Sequence, residues 1–292
     1  MIRTFKEPQR VRQQVRKWHQ HGLSVGLVPT MGALHEGHLS LVRKAVQECD
    51  RTVVSIFVNP TQFGPDEDFD EYPRTLQKDI DLLEMEGADV VFAPTERQMY
   101  FPDSCTFVDQ EVLTDKLCGA HRPGHFRGVL TIVAKLFNVT EPDKAYFGRK
   151  DFQQSVVLRR MSRDLNFHVE IRVGPTVRES DGLAASSRND YLNEEQRQQA
   201  TCLYKALQKA REMFSAGARS PKKLIDEMRR IIEERPAAEL QYCEIVSSDD
   251  LKRVEKAADD SIAALAVFLG ETRLIDNMPL GECDDIFLNP DQ

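Results

Sequence analysis

The sequence predicts an α/β protein with a doubly wound parallel sheet, followed by a smaller C-terminal α+β domain. In the first half of the chain, short and continuously apolar runs alternate with amphipathic helical patterns. That alternation is typical of parallel strands that are covered by helices on both faces. After about residue 174 the order changes to long, highly charged helical segments and then to strands. We therefore expect one domain over residues 1–180 and a second over residues 181–292.

The predicted strands of the first half are short runs that lack a polar face, as expected for strands buried on both sides. They span residues 24–28, 53–58, 89–93, 145–147 and 169–173. Apolar residues at helical spacing between these runs predict helices, of which the clearest is the stripe from residue 126 to residue 137. A further helix is expected over residues 151–165. Ligands of such sheets bind at the carboxyl ends of the strands, where the strand order reverses.

The second domain is predicted from helices near residues 194–215 and 221–234, followed by strands near residues 240–246, 262–269 and 272–276. The charges of the two helices indicate a solvated face, and we assign them no further function.

Composition argues against several classes of partner. The 292 residues carry a formal net charge of −8, which argues against nucleic acid, because phosphate backbones are bound by basic surfaces. No apolar stretch approaches the roughly 20 residues that span a bilayer, and the first residues lack a signal peptide's apolar core. None of the six cysteines forms a C-x-x-C pair, so we expect reduced thiols in a cytoplasmic protein.

The first candidate motif lies between the first predicted strand and its helix, over residues 29–38. Gly32 and Gly37 let the backbone approach a bound group closely, and the start of a helix favours phosphate. His35 and His38 are three residues apart, so both can donate hydrogen bonds to phosphate oxygens from one face. The alternative is a local cap or packing role for His38. A zinc site is disfavoured, because the helical metalloprotease signature spaces its histidines by four residues.

Two more motifs combine polar side chains with a strand end or a helix start. Asn59 and Gln62 follow the second predicted strand, and neutral amides of this kind suit substrate hydroxyls. The alternative is a simple turn. Arg122 and His125 precede the apolar stripe, where a cation, a turn and a helix start come together. The alternative there is a loop with a helix cap.

The last two motifs also bring cations and hydroxyls into loops. Lys150 lies where a strand meets a helix and could neutralise phosphate charge, with Asp151 as a helix cap or ribose contact and Gln154 one helical turn further on. Ser186 and Arg188 lie in a loop of small residues that suits a triphosphate. The alternatives are a solvated charged loop and an interdomain linker.

The H-x-G-H motif at residues 35–38 resembles the signature of the nucleotidylyltransferase superfamily, whose members transfer adenylate from ATP. All five motifs together, from about residue 22 to residue 193, resemble the pantoate–β-alanine ligase family. Residues 270–277 also resemble the end of that family's sequences.

The resemblance implies a Rossmann-like sheet of the nucleotidylyltransferase type with a C-terminal lid domain. It implies that pantoate attacks the α-phosphorus of ATP with release of pyrophosphate, and that β-alanine then attacks the pantoyl adenylate with release of AMP. ATP and Mg²⁺ are the implied cofactors, with the magnesium ligands unassigned. A homodimer that meets through the N-terminal domain is the implied assembly.

The family's functional residues match this sequence position by position. The implied catalytic residues are His35, His38, Lys150, Ser186 and Arg188. The implied ATP-binding residues are Met31, Gly32, Ala33, Leu34, His35, Glu36, Gly37, His38, Gly148, Arg149, Lys150, Asp151, Val177, Ala185, Ser186, Ser187 and Arg188. The implied substrate-binding residues are Asn59, Gln62, Arg122, His125 and Gln154.

Two positions depart from the family pattern. Ala185 stands where the family often has Met, which predicts the loss of some apolar contact to the nucleotide. Arg149 stands where the family often has Glu or Gln, which predicts additional positive charge beside the phosphates. Two other functions stay open on the motifs alone. One is an adenylate transferase that makes a dinucleotide or a coenzyme precursor, and the other is a nucleotide-binding protein without catalysis.

Overall fold

The computed structural model describes residues 2–65, 67–282 and 284–287, and it confirms the predicted α/β class. Two compact units are distinguished. The first contains the described residues up to Thr114 together with Gly119–Gly148 and Val157–Gly174. The second contains Asp115–Cys118, Arg149–Val156 and the described residues from Pro175 onward. The second unit thus draws on more of the chain than residues 181–292, and the boundary expected at residue 180 stays a prediction.

The first unit is built on a six-stranded parallel sheet, whose order is β1-β4-β3-β2-β5-β6. Its strands are β1 (Arg3–Phe5), β2 (Val25–Thr30), β3 (Arg51–Ile56), β4 (Val90–Phe92), β5 (Lys144–Gly148) and β6 (Glu170–Gly174). From β2 the chain proceeds outward to β3 and β4 on one side and to β5 and β6 on the other. The strand order therefore reverses between β2 and β5, which is the position where such sheets bind ligands.

Helices connect these strands. They are α1 (Pro8–Gln20), α2 (Glu36–Glu48), α3 (Leu76–Met85), α4 (Glu96–Met99), α5 (Leu117–His121), α6 (His125–Thr140) and α7 (Phe152–Asp164). The apolar periodicity predicts α2, α3, α6 and α7 among them. Short 3-10 turns occupy Pro60–Gln62 and Arg149–Asp151, so the helix expected from residue 151 begins one residue later. The sequence reasoning missed β1 and α1, and it missed the short helices α4 and α5. Only Val11 and Val15 of α1 are buried, which is too sparse an apolar pattern to stand out.

The second unit contains a three-stranded antiparallel sheet, with the order β10-β9-β8, and the helices that cover it. Its elements include β7 (Val177–Arg178), a 3-10 turn (Ser187–Tyr191), α8 (Glu194–Ala200), α9 (Cys202–Ser215), α10 (Pro221–Glu233), β8 (Ala238–Ser247), β9 (Ser261–Leu269), β10 (Thr272–Pro279) and β11 (Ile286–Phe287). The apolar sides of α9 and α10 form its core with β9 through Leu207, Leu224 and Leu265.

The helix predicted over residues 194–215 is divided into α8 and α9 at Thr201. The Thr201 hydroxyl donates a hydrogen bond to the carbonyl of Gln198 at 2.9 Å, a local bond of the kind that competes with helical hydrogen bonding. A short parallel pair of β7 with β11 was not predicted either.

None of the helices among the described residues combines the length and apolar character needed to cross a bilayer. Cys49, Cys105, Cys118, Cys202 and Cys243 are free thiols, and Cys283 lies outside the described residues.

Candidate active site

The predicted phosphate-binding segment joins the carboxyl end of β2 to α2. Gly32 has a φ of +84°, a conformation that favours glycine, and Ala33 follows with a φ of +50°. The turn is held by Asp79 of α3, whose carboxylate accepts hydrogen bonds from the backbone N–H groups of Ala33 at 3.1 Å and Leu34 at 2.9 Å. Asp79 is 1% exposed. A buried carboxylate thus fixes the backbone conformation immediately before the histidine pair.

His35 and His38 form a reciprocal cap at the start of α2. His35 is the N-cap, and its Nδ1 accepts a hydrogen bond from the backbone N–H of Gly37 at 3.1 Å. The Nδ1 of His38 accepts from the backbone N–H of His35 at 3.4 Å, and the two ring centroids are 4.1 Å apart. Since both Nδ1 atoms accept, the proton of each neutral ring belongs on Nε2. The capping role that the sequence left as the alternative is therefore compatible with hydrogen-bond donation from Nε2.

The remaining residues of this segment have identifiable contacts. The sulfur of Met31 accepts a hydrogen bond from the side-chain amide of Gln62 at 3.0 Å. The Glu36 carboxylate is paired with Arg43 in the same helix. Gly37 supplies the backbone N–H that His35 caps.

Asn59 lies three residues after β3, directly before the 3-10 turn Pro60–Gln62, and is 1% exposed. Its side-chain NH₂ donates to Oε1 of Gln62 at 3.1 Å and to the carbonyl of Gly128 at 3.2 Å. Its side-chain oxygen accepts from the hydroxyls of Thr61 and Tyr100, each at 2.9 Å. All four hydrogen-bonding positions of the amide are thus used by protein groups. One of these bonds holds the side-chain amide of Gln62, and the substrate contact expected of Asn59 stays a prediction.

Arg122 and His125 surround the backbone carbonyl of Gln62. His125 Nδ1 lies 2.8 Å from that oxygen, and Arg122 Nη2 donates to it at 3.4 Å. Arg122 also makes a two-pronged ion pair with Glu67, at 2.6 and 2.5 Å. Burial alone would raise the pKa of the Glu67 carboxyl, but the hydrogen bonds and charge of Arg122 outweigh burial and hold that pKa below its usual range. Arg122 and His125 therefore lie close to Gln62, and their role in substrate binding stays a prediction.

The other predicted ATP-binding residues belong mainly to the second unit, apart from Gly148, which ends β5. Arg149, Lys150 and Asp151 form a half-buried 3-10 turn, and Gln154 is half-buried in the first turn of α7. The side-chain amide of Asn277 donates to the carbonyls of Arg149 and Lys150, both at 2.9 Å. The Arg149 guanidinium is paired with Asp284 and Asp285. Its charge is thus compensated within the protein, in contrast to the additional positive charge expected from the sequence.

The second phosphate-binding candidate follows β7. The carbonyl of Val177 accepts the backbone N–H of Ala185 at 2.9 Å, and both residues are buried. The Ser186 hydroxyl accepts the backbone N–H of Arg188 at 3.3 Å and thereby caps the 3-10 turn Ser187–Tyr191. The side chains of Ser186, Ser187 and Arg188 are half-buried.

Sequence reasoning missed the residues that support these segments. Asp79 could have been noticed, because it lies three residues after Leu76 and four before Leu83, on the apolar face of its helix. A carboxylate at such a position needs buried hydrogen-bond donors. Asn277 carried no such signal, since its partners are backbone carbonyls far away along the chain.

The family comparison agrees with this architecture. The family model described as pantoate-beta-alanine ligase matches residues 3–279. A pantothenate synthetase of Clostridium novyi (strain NT) is 52% identical over 274 residues, which is 93% of this chain and 97% of the relative. A pantothenate synthetase of Thermosipho melanesiensis is 56% identical over 260 residues, which is 89% of this chain and 92% of the relative.

Solved structures show the same likeness. The crystal structure of pantothenate synthetase from Thermus thermophilus superposes with a TM-score of 0.92 at 42% identity, covering 96% of this chain and 100% of that one. Pantoate-beta-alanine ligase from Francisella tularensis, complexed with beta-gamma ATP and beta-alanine, superposes with a TM-score of 0.80 at 33% identity, covering 96% and 98%. On these matches, the chain belongs to the pantoate-beta-alanine ligase family.

Proposed function

We propose that this chain is a C–N bond-forming ligase that condenses pantoate with β-alanine and converts ATP to AMP and pyrophosphate. The substrates follow from the family and from the Francisella tularensis relative, whose complex contains an ATP-type ligand and β-alanine. The observation that carries the proposal in this chain is that the His35–His38 cap lies beside Gln62, whose side chain contacts Met31 and Asn59. The cap and Gln62 lie at the carboxyl ends of the paired strands β2 and β3.

In the first step, a pantoate carboxylate oxygen bonds to the α-phosphorus of ATP, and the bond from that phosphorus to the pyrophosphate oxygen breaks. Negative charge grows on the phosphate oxygens during this displacement. Neutral imidazoles whose Nδ1 atoms are occupied by the helix cap present Nε2–H donors to such oxygens. Because the cap sets the ring orientation before substrate binds, these donors need no reorganisation at the moment of reaction.

Gln62 is the proposed contact for pantoate and β-alanine. Its side-chain amide is held by Asn59 and by the Met31 sulfur. Its backbone carbonyl is held separately by His125. Asn59 acts by holding Gln62, since its own amide has no hydrogen-bonding position left. Arg122, His125 and Gln154 complete the proposed substrate-binding set.

Lys150, Ser186 and Arg188 are proposed to bind the phosphates, and Val177 to contact the adenine through its backbone. Cations of this kind neutralise the charge that pyrophosphate carries as it leaves, and a serine hydroxyl stabilises it by donating a hydrogen bond. In the second step the β-alanine nitrogen attacks the acyl carbon, the C–O bond to AMP breaks, and the amine releases a proton. No protein nucleophile is needed, because the adenylate already supplies a good leaving group.

Magnesium is proposed as part of the nucleotide substrate. Among residues 2–65, 67–282 and 284–287, no group of three or more His, Cys, Asp or Glu side chains could enclose a metal ion. Mg²⁺ commonly binds through substrate phosphates, water and one or two carboxylates, a mode that requires no such group of side chains. When bound, the ion neutralises triphosphate charge.

The proposed assembly is a homodimer in the cytoplasm. Phe101, Phe107 and Val112 are exposed large apolar side chains in one stretch of the first unit, and contact with a second copy would cover them. Sedimentation at several protein concentrations tests this assembly.

The reaction is tested by mixing the protein with Mg-ATP and pantoate and measuring pyrophosphate, then adding β-alanine and measuring AMP and pantothenate. Pyrophosphate before β-alanine and pantothenate after it support both half-reactions. A dinucleotide product, or ATP binding without pyrophosphate release, would contradict the proposal.

A further inference from the structure

The C-terminal segment Asp284–Phe287 lies beyond residues 3–279, to which the family model is matched. Its strand β11 runs parallel to β7, with Ile286 opposite Val177, and the Ile286 N–H donates to the carbonyl of Thr176 at 2.9 Å. The segment therefore adds a strand to the element that carries the proposed adenine contact.

One carboxylate in this segment joins two arginines. Asp285 Oδ1 accepts from Nη2 of Arg149 at 2.6 Å, and Asp285 Oδ2 accepts from Nε of Arg178. Asp284 accepts a second hydrogen bond from Arg149. The side chains of Asp285, Arg178 and Arg149 are 4%, 0% and 15% exposed, so water competes little for the two contacts of Asp285.

The two arginines belong to two different ATP-binding segments of the proposed function. Arg149 directly precedes Lys150 in the 3-10 turn, and Arg178 directly follows Val177 in β7. Asp285 therefore joins the neighbour of the proposed phosphate contact, Lys150, to the neighbour of the proposed adenine contact, Val177.

Further hydrogen bonds restrain the two segments that Asp285 joins. Arg178 is held on its other side by Asp276, at 2.7 and 3.1 Å, and by the carbonyl of Gly182 at 3.1 Å. Asn277, the neighbour of Asp276, holds the carbonyls of Arg149 and Lys150. Without Asp285, the turn keeps its backbone contacts to Asn277 but loses the side-chain link to β7.

We propose that Asp285, with the help of Asp284, is a positioning residue for ATP. It sets the distance between the Arg149–Asp151 turn and the β7 strand, so that the turn can bind the phosphates while β7 contacts the adenine. This inference rests on the proposed function. It also accounts for Arg149, since the arginine that departs from the family pattern is matched by two carboxylates outside the family-matched range.

The test is Asp285→Asn in the full chain, with ATP affinity measured by calorimetry and KM measured for each substrate. We expect the Kd for ATP to rise about tenfold, the scale of one lost charge-assisted hydrogen bond. The KM for β-alanine should change less than twofold. Hydrogen exchange should accelerate in peptides that contain Lys150 and Val177. Asp285→Glu should restore part of the affinity, because it keeps the charge.

Asp226→Asn is the matched control. Asp226 is an exposed carboxylate of the same unit, paired with Lys222 at 2.6 Å, and its loss should leave ATP affinity unchanged. Arg149→Gln is the second variant, because it keeps the Asp285–Arg178 pair. If Asp285→Asn does not fold, Arg149→Gln gives the result, and we expect it to weaken ATP binding about tenfold as well.

A folded Asp285→Asn protein with ATP affinity and hydrogen exchange within twofold of the parent would overturn the inference. So would an Arg149→Gln protein with unchanged affinity. Failure of the proposed function is seen separately: the parent protein would then make no pantothenate, whatever the variants do to hydrogen exchange.

Discussion

Replacing Asp79 by asparagine tests whether the turn before α2 must be held in place for adenylate formation. The Asp79 carboxylate is 1% exposed and accepts the backbone N–H groups of Ala33 and Leu34. It also accepts the hydroxyl of Thr75, at 3.2 to 3.3 Å. The turn that it holds leads directly into the His35 N-cap.

The magnitude follows from the number of acceptors. Asparagine keeps one oxygen and places an NH₂ group where the second oxygen was, so one backbone N–H loses its acceptor. A hydrogen bond to a charged group contributes about 1.5–3 kcal/mol, and we expect the free energy of unfolding to fall by about 2 kcal/mol. If displacement of the histidine donors removes the same 2 kcal/mol or so of transition-state stabilisation, pyrophosphate release slows about 30-fold.

The assay is the rate of pyrophosphate release with ATP and pantoate, combined with urea unfolding. Asp81→Asn is the control, because Asp81 lies on the same helix, is exposed, and accepts a hydrogen bond from the side-chain amide of Gln77 at 2.8 Å. We expect the control to match the parent within twofold. An Asp79→Asn protein with the parent's kcat/KM would refute the claim that the buried carboxylate organises the histidine segment.

The other predictions concern individual side chains. His38→Ala and Lys150→Ala should each slow pyrophosphate release at least about a hundredfold, the scale of one lost transition-state donor; near-normal rates would remove the assigned role. Gln62→Ala should raise the KM for pantoate while the Kd for ATP stays nearly the same, and equal loss of both would indicate a folding defect. Ala185→Met should lower the KM for ATP about fivefold, which corresponds to apolar contact on the order of 1 kcal/mol with the nucleotide; an unchanged or higher KM would contradict this. The pKa of Glu67 is lower in the folded chain than its ordinary value of 4.5, so its ionised form stabilises the fold above pH 4.5, and this contribution disappears as the pH falls through the lower folded-state pKa. Unfolding measured against pH should therefore show the difference between the parent and Glu67→Gln shrinking in acid, and a constant difference would refute it.

The parallel sheet was predictable because its strands are continuously apolar. Val28, Val54 and Val91 are fully buried between two layers of helices, and local sequence reports such burial directly. By contrast, β1 has three residues, and α1 buries only Val11 and Val15, so neither gave a periodic signal. The division of one predicted helix at Thr201 depends on a hydroxyl contact that hydrophobic periodicity does not register.

Within the candidate site, local motifs gave the residues that are proposed to carry chemistry but not the contacts that hold them. His35 and His38 are recognisable because they lie within one helical turn at a strand end. Asp79 and Asn59 act through contacts with backbone groups and amides, and these contacts depend on how separate elements pack.

The sequence by itself determined the fold class, because apolar periodicity reports burial locally. The resemblance of its motifs to a known family implied the family and the positions of the histidine, lysine and serine motifs. Only the tertiary structure decided how those groups are oriented. It assigned the Nδ1 atoms of both histidines to the helix cap, used every hydrogen-bonding position of Asn59 within the protein, and matched Arg149 with Asp284 and Asp285 from more than a hundred residues away. Such pairings join residues distant along the chain, and they exist only once the intervening elements have packed and excluded water from the buried charges.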